Sequence, residues 1–259
     1  MKLIVLSDTK AMPGFKFEHG LSFLVEVDEK KILLDTGASD VFLRNAEKLG
    51  IDLTGVDGLV LSHGHWDHGN GLQHVEGKPL LCHPGCFQGR TRKQGGGSLG
   101  LALTREEIEK RFDLTVSRKP VQMSEHLWFL GEIPRVNDFE AKTTRYLLEG
   151  GEEDFIMDDS GLACTTDQGL VVISGCAHSG ICNMIGHAMK VTGISSLAGV
   201  TGGFHLSADN HQTQKTIEYL KNAEVGSVYP SHCTQDPALG LFYKAFGNKQ
   251  VLTGSTIQF

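Results

Sequence analysis

Gly58-Leu59-Val60-Leu61-Ser62-His63-Gly64-His65-Trp66-Asp67-His68 is the stretch on which the reading of this chain turns. The uncharged run Gly58–Leu61 reads as a buried strand, and it delivers four potential metal ligands within six positions onto the loop that follows. Residues two apart on an extended loop point to the same side, so His63 and His65 can grip one cation. Asp67 and His68, on the next turn, then face a second. Two imidazoles suit zinc or a similar borderline ion, whereas a carboxylate favours a harder and more open coordination. A surface cluster of histidines is the bland alternative, and it fits poorly directly behind a buried run.

Outward from this segment, short apolar runs dominate the first part of the chain. Lys2–Leu6, Ser22–Val27 and Lys31–Leu34 each read as strands, with Asp28-Glu29-Lys30 as a hairpin turn and Asp35-Thr36-Gly37 closing the third. Asp40–Leu49 has helical spacing and stops at Gly50. Residues 85–100 are Gly-rich and polar and read as an insertion loop or lid, and Thr104–Phe112 as a helix opened by a Thr104/Glu107 capping box. Further strands are expected at Thr143–Glu149, Gly161–Thr165 and Leu170–Ile173. The helices Ile181–Val191 and Gln212–Ala223 lead into strands Leu197–Val200 and Ser227–Tyr229. Hairpins early and alternating strands and helices late predict an α/β, four-layer αββα sandwich, with residues 1–259 as a single domain and an insertion around 85–140.

Composition sets bounds. A formal charge of −7 with no basic run argues against a nucleic-acid surface. No run approaches the roughly 18 apolar residues of a membrane span, and the N-terminal apolar run is too short for a signal segment. The expectation is a cytoplasmic enzyme with a small-molecule substrate and neither nucleic-acid nor membrane partner; the oligomeric state is not legible. Six scattered cysteines argue against a disulfide framework.

The segment Ser62–His68, with Asp35-Thr36-Gly37 upstream, resembles the signature of the metallo-β-lactamase superfamily. Glu18-His19-Gly20-Leu21-Ser22, Gly175-Cys176-Ala177-His178-Ser179-Gly180, Gly202-Gly203-Phe204-His205-Leu206 and Ser231-His232-Cys233-Thr234 extend the likeness. Their order resembles a subfamily that includes archaeal dihydropterin-ribofuranosyl-aminobenzene phosphate synthases. The resemblance implies the metallo-β-lactamase sandwich and two divalent transition-metal ions, zinc first, with manganese or iron as alternatives. It implies His178 as the third imidazole of the first site and His232 as the distal ligand of the second. Cys176 stands where the family presents a bridging carboxylate, as a ligand or a support behind the ligands; Asp158 or Asp159 is the alternative for the vacant role.

The reaction implied is hydrolysis of a small phosphorylated or ester-like substrate by a metal-activated hydroxide, with Asp67 as ligand and orienter of the nucleophile. The alternative is a condensation of a dihydropterin diphosphate with an aminobenzene ribosyl phosphate, releasing pyrophosphate. A non-catalytic metal-binding module is the rival from another class. His205, behind Gly202-Gly203, either faces the cleft or is a core histidine. His19 is placed at the cleft rim by the resemblance. Arg90, with Arg92, Lys93 and Arg135, is a candidate anion binder, the plain alternative being a solvated loop. Cys82 and Cys233 read as small buried apolar residues.

Overall fold

The computed structural model describes residues 1–247 and 250–259 of the chain. The first half supplies strands β1 (Lys2–Ser7), β2 (Ser22–Val27), β3 (Lys30–Leu34), β4 (Gly58–Leu61), β5 (Pro79–Cys82), β6 (Arg90–Arg92), β7 (Asp113–Val116), β8 (Val121–Gln122) and β9 (Leu127–Phe129). Then come β10 (Tyr146–Leu148), β11 (Glu153–Asp154), β12 (Gly161–Thr166), β13 (Gly169–Ser174), β14 (Leu197–Gly203), β15 (Ser227–Ser231) and β16 (Thr256–Gln258). The helices are α1 (Val41–Lys48), α2 (Trp66–Gly69), α3 (Arg105–Arg111), α4 (Ile181–Thr192), α5 (His211–Asn222) and α6 (Ala238–Phe246).

Two large sheets form, in the orders β16-β1-β2-β3-β4-β5-β7 and β15-β14-β13-β12-β9-β8. Between them lies a dry layer in which Phe23, Val25, Leu34 and Val60 of the first meet Phe129, Leu162, Val171 and Ile173 of the second. The opposite face of the first sheet packs Leu24, Leu59 and Leu80 against Phe42 and Ala46 of α1 and Ile108 of α3. The outer face of the second packs Ala163, Val172 and Val200 against α4, α5 and α6 through Met184, Leu220 and Phe242. Alternate strand residues therefore serve opposite layers, the period-2 pattern that gives a sheet buried on both faces. The four-layer αββα order expected from the sequence is present. No helix among the described residues is long and apolar enough to cross a membrane.

Most sequence-based elements match within a residue or two. The hairpin turn at Asp28 and Glu29 has both residues at positive φ, 51° and 58°. The capping box on α3 makes both of its hydrogen bonds, from the Glu107 amide to the Thr104 hydroxyl and from the Thr104 amide to the Glu107 carboxylate. The segment 85–140 differs from a plain insertion. β7 extends the first sheet and β8 and β9 extend the second, so those strands are part of the sandwich. Within the Gly-rich stretch, β6 pairs with β10, and β10 with β11, in a separate three-stranded sheet. Leu99, Tyr146 and Ile156 make its small core and pack on Trp66 of α2. This small sheet, rather than a loop, roofs the site.

Strands β3, β4 and β5 run parallel, as do β13, β14 and β15. Their carboxyl ends gather at one edge of the sandwich, where parallel strands present their functional loops. The loops after β3, β4, β13, β14 and β15 carry Asp35, the His63–His68 segment, Cys176 and His178, His205, and His232 respectively. Close approach at this edge dictates glycine twice. A Cβ on Gly64 would stand 1.9 Å from the carbonyl oxygen of Cys86, and one on Gly175 would stand 2.0 Å from the Ser62 hydroxyl. Gly175 is where the ends of β13 and β4, from the two facing sheets, come together.

Candidate metal centre

The expected ligands converge. His63, His65 and His178 place ligand atoms within 4.8 Å of one another, and Asp67, His68 and His232 do the same beside them. Cys176 forms a third such group with His63 and His68, so its sulfur lies between the two trios. Its Sγ is 3.1 Å from Nε2 of His68, which is also 3.1 Å from Nε2 of His232. The rings of His63 and His68 are 4.2 Å apart between centroids.

Nε2 of His178 is buried without any hydrogen-bond partner, Nε2 of His63 faces Nδ1 of His65 at 2.9 Å, and Nε2 of His68 faces both Nε2 of His232 and the Cys176 sulfur. Buried polar atoms are normally satisfied, and lone pairs left over in a converging group of imidazoles are what a cation would use. The donor set therefore fits metal. Electrostatics agree. Burial, reinforced by neighbouring histidines, holds His63 and His178 well below the ordinary histidine range, and burial with nearby Arg90 lowers His65 to about 3. These rings are neutral at physiological pH, the form that ligates. For Asp67 burial favours the neutral acid, but His68 and His232 outweigh it and keep the carboxylate ionised.

Behind the ligands stands a layer that aims them. Asp35, at φ 58°, accepts from the Ser62 amide at 2.7 Å and from the Ser62 hydroxyl at 2.7 Å, and its Oδ2 also meets Nδ1 of His68. The Ser62 hydroxyl lies 3.0 Å from Nδ1 of His63. Asp8 takes the His232 amide at 3.1 Å. None of these supports was singled out from the sequence, although Asp35 sits in a quoted motif; carboxylates at strand ends were the available signal.

Other candidates separate. His19 is exposed at the rim with its Nε2 3.4 Å from Asp67 Oδ2. His205, at φ 52°, is no backbone-satisfied core residue: its Nε2 lies 3.1 Å from the Tyr146 hydroxyl, and its ring faces His178 at 4.3 Å. Burial, then the positive charge of Arg145, lowers it to about 4. Cys233 lies beside Cys176 and His232, closer to the centre than a packing residue would need to be.

Arg90 is corrected. Its guanidinium is fully buried and holds Asp158 at 2.8 Å and Asp154 at 3.1 Å, so it has no freedom to meet a substrate anion. The same bonds remove Asp158 from the bridging role: its other oxygen accepts the Gly64 amide at 2.7 Å, fixing the ligand loop from behind. Asp159 is also not among the converging ligands. It accepts from the Ser179 amide at 2.9 Å and steadies the His178 loop, and burial pushes its carboxyl up to about 6. Arg135 spends its donors on the carbonyls of Phe155 and Ile156, and Lys93 pairs with Glu153.

What the sequence reading missed is the roof. A 170 Å³ cavity over the ligands is lined by Trp66, Arg92, Arg145 and Tyr146 as well as by the histidines. Arg92 and Tyr146 are cross-strand partners on β6 and β10. Arg92 and Arg145 are exposed and make no ion pair among the described residues, and Asp67 is the one carboxylate lining the cavity. A cavity of 880 Å³ lies elsewhere, on the outer side of the first sheet beside α1, and contains none of the converging ligands.

Comparison with known proteins shows the family and the fold. The sequence pattern of the Metallo-beta-lactamase superfamily matches residues 16–79. The chain is 36% identical, over 95% of its length and 91% of the relative's, to the 7,8-dihydropterin-6-methyl-4-(beta-D-ribofuranosyl)-aminobenzene-5'-phosphate synthase of Methanocaldococcus jannaschii. The solved structure of a metal-dependent hydrolase of the beta-lactamase superfamily is 30% identical, with a TM-score of 0.89, covering 100% of this chain and 99% of its own. A diphosphatase of the PhnP family shares the fold at TM-score 0.59 and 15% identity, covering 100% of this chain and 97% of its own.

Proposed function

The chain belongs to the metallo-beta-lactamase superfamily, and from that membership we propose that it is a metal-dependent synthase acting on phosphorylated substrates. The reaction proposed joins a dihydropterin diphosphate to an aminobenzene ribosyl phosphate. The aryl amine nitrogen forms a bond to the pterin methylene carbon, the carbon–oxygen bond to the diphosphate breaks, the amine gives up a proton and pyrophosphate leaves. The observation that carries this reading is the pair Arg92 and Arg145, two cations without ion-pair partners among the described residues, over a pocket lined by one carboxylate. The 36% identity to the archaeal synthase supports the same choice.

His63, His65 and His178 would hold one ion, and Asp67, His68 and His232 a second, with Cys176 between. Zinc is the ion proposed, manganese or iron the alternatives. Bound cations would supply charge stabilisation to the departing diphosphate oxygens. The chain's own groups do the rest. Arg92 and Arg145 draw and orient the phosphates. Trp66 and Tyr146 cover the pocket and keep water from the reacting carbon. Tyr146 fixes the neutral His205 ring at the pocket wall. His19 narrows the entrance beside Asp67. All six cysteines are free, which fits a reducing compartment such as the cytoplasm.

The test is pyrophosphate release from the metal-loaded protein given both substrates. Release that depends on the aryl amine supports the reading. Release or phosphate formation without the amine would instead favour hydrolysis, the second reading, which the likeness to the metal-dependent hydrolase supports.

A further inference from the structure

Beyond the Tyr146–His205 pair the metal pocket continues into a second chamber of 610 Å³. The two cavities share Arg145, Tyr146, His178, His205 and Ser207, so a molecule in one abuts a molecule in the other. We propose that this chamber is the seat of the second substrate, an aromatic phosphate monoester, whose ring lies between Phe139 and Phe155 and whose phosphate meets Lys142 and Arg145.

Charge is the first reason. The chain has 31 Asp and Glu residues, yet none lines this chamber, while Lys142 and Arg145 both do. Both are exposed, and neither makes an ion pair among the described residues. In a protein of net charge −7 such a chamber selects anions. Shape is the second. Phe139 and Phe155 are half-buried and line the cavity, and 610 Å³ falls in the range of small-molecule sites.

Backbone strain is the third. Nine non-glycine residues have positive φ among the described residues, and Ala141, Ile156, Ala177 and His205, four of the nine, line this one cavity. Such conformations cost on the order of 1–3 kcal/mol each and gather where a site needs a fixed shape. The wall between the chambers is itself such a residue, His205, held by Tyr146.

The assignment rests on the synthase reading for its second substrate, but binding tests it without turnover. The probe is phenyl ribofuranoside 5-phosphate, titrated calorimetrically into the metal-loaded protein, with the phosphate-free riboside as control. The probe should bind and the riboside should bind at least about tenfold more weakly, the scale of a lost charge-assisted hydrogen bond. Lys142→Met and Phe155→Ala should each weaken the probe by a similar factor, and inorganic pyrophosphate should bind alongside it. Displacement of the probe by pyrophosphate, equal binding of the riboside, or unchanged affinity in Lys142→Met would overturn the assignment. A thermal melt shows whether Phe155→Ala folds; if it does not, the exposed Lys142 decides alone. Tight probe binding without amine-dependent pyrophosphate release would remove the synthase reading and leave the chamber. Release with unaltered binding in Lys142→Met would do the reverse.

Discussion

The carboxylate of Asp35 stands 2.6 Å from Nδ1 of His68, both side chains wholly buried. Through Ser62 the same carboxylate also reaches His63, so one residue on β3's exit loop orients a ligand from each trio. Burial favours neutral His68, but Asp35 and Asp67 outweigh it and raise its pKa. Asp35→Asn should therefore lower metal affinity by about 10- to 100-fold, the usual penalty for losing such a support. Competition with a chromophoric chelator measures it, and an unchanged affinity would show that Asp35 only packs.

Metal analysis after gentle purification should find close to two transition-metal ions per chain. Removing them should lower the melting temperature, because a ligand at a thousand times its Kd stabilises the folded state by about 4 kcal/mol. Metal content near zero, with no uptake on reconstitution, would defeat the assignment of both trios.

His65→Ala should abolish turnover while the metal-free protein melts within a few degrees of its parent. The side chain is at the cavity wall on a loop outside the three large apolar layers, so its loss removes a ligand more than packing. Full activity in the variant would contradict its role.

Arg90→Met tests a different kind of residue. Removing the guanidinium leaves Asp154 and Asp158 buried without their counter-charge, and breaking a buried pair from one side costs about 3–5 kcal/mol. Urea unfolding of the metal-free form should show the loss. A substrate-binding Arg90 would instead raise KM and leave stability alone.

Cys176 should alkylate faster once a chelator has removed the metals. Its thiol is buried against His68, and burial pushes it up when no cation is near. Loss of metal thus frees the sulfur but also makes it less ionised; opening of the site is expected to win. Mass-spectrometric mapping with and without chelator decides it, equal rates placing Cys176 outside the centre.

Legibility followed contiguity. His63, His65, Asp67 and His68 lie within six residues behind an apolar strand, so spacing alone discloses them. His178 and His232 needed family likeness, because their convergence depends on β13 and β15 ending at the same edge as β4. The roof was the blind spot. β6 and β10 are separated by more than fifty residues, and nothing local to Arg90-Thr91-Arg92 announces their pairing. Arg90 is spent on two buried aspartates while Arg92, two residues on, stands opposite Tyr146, so residues of like chemistry received opposite work. The strands at 113–129 were hidden for a similar reason: each is two to four residues long, and β7 and β9 join their sheets through partners more than thirty residues away.

The small roof sheet shares no strand pairing with either large sheet. It is anchored by the Arg90 clasp, the Tyr146–His205 contact, the Trp66 amide on the Leu99 carbonyl and a few apolar contacts around Trp66. Descent can therefore revise it by drift or by wholesale exchange of its hairpin while the ligand loops, tied to the parallel strands, stay as they are. Two lineages with the same metal grip and different roofs would admit different molecules, and a graft of one roof onto the other sandwich would carry its appetite with it.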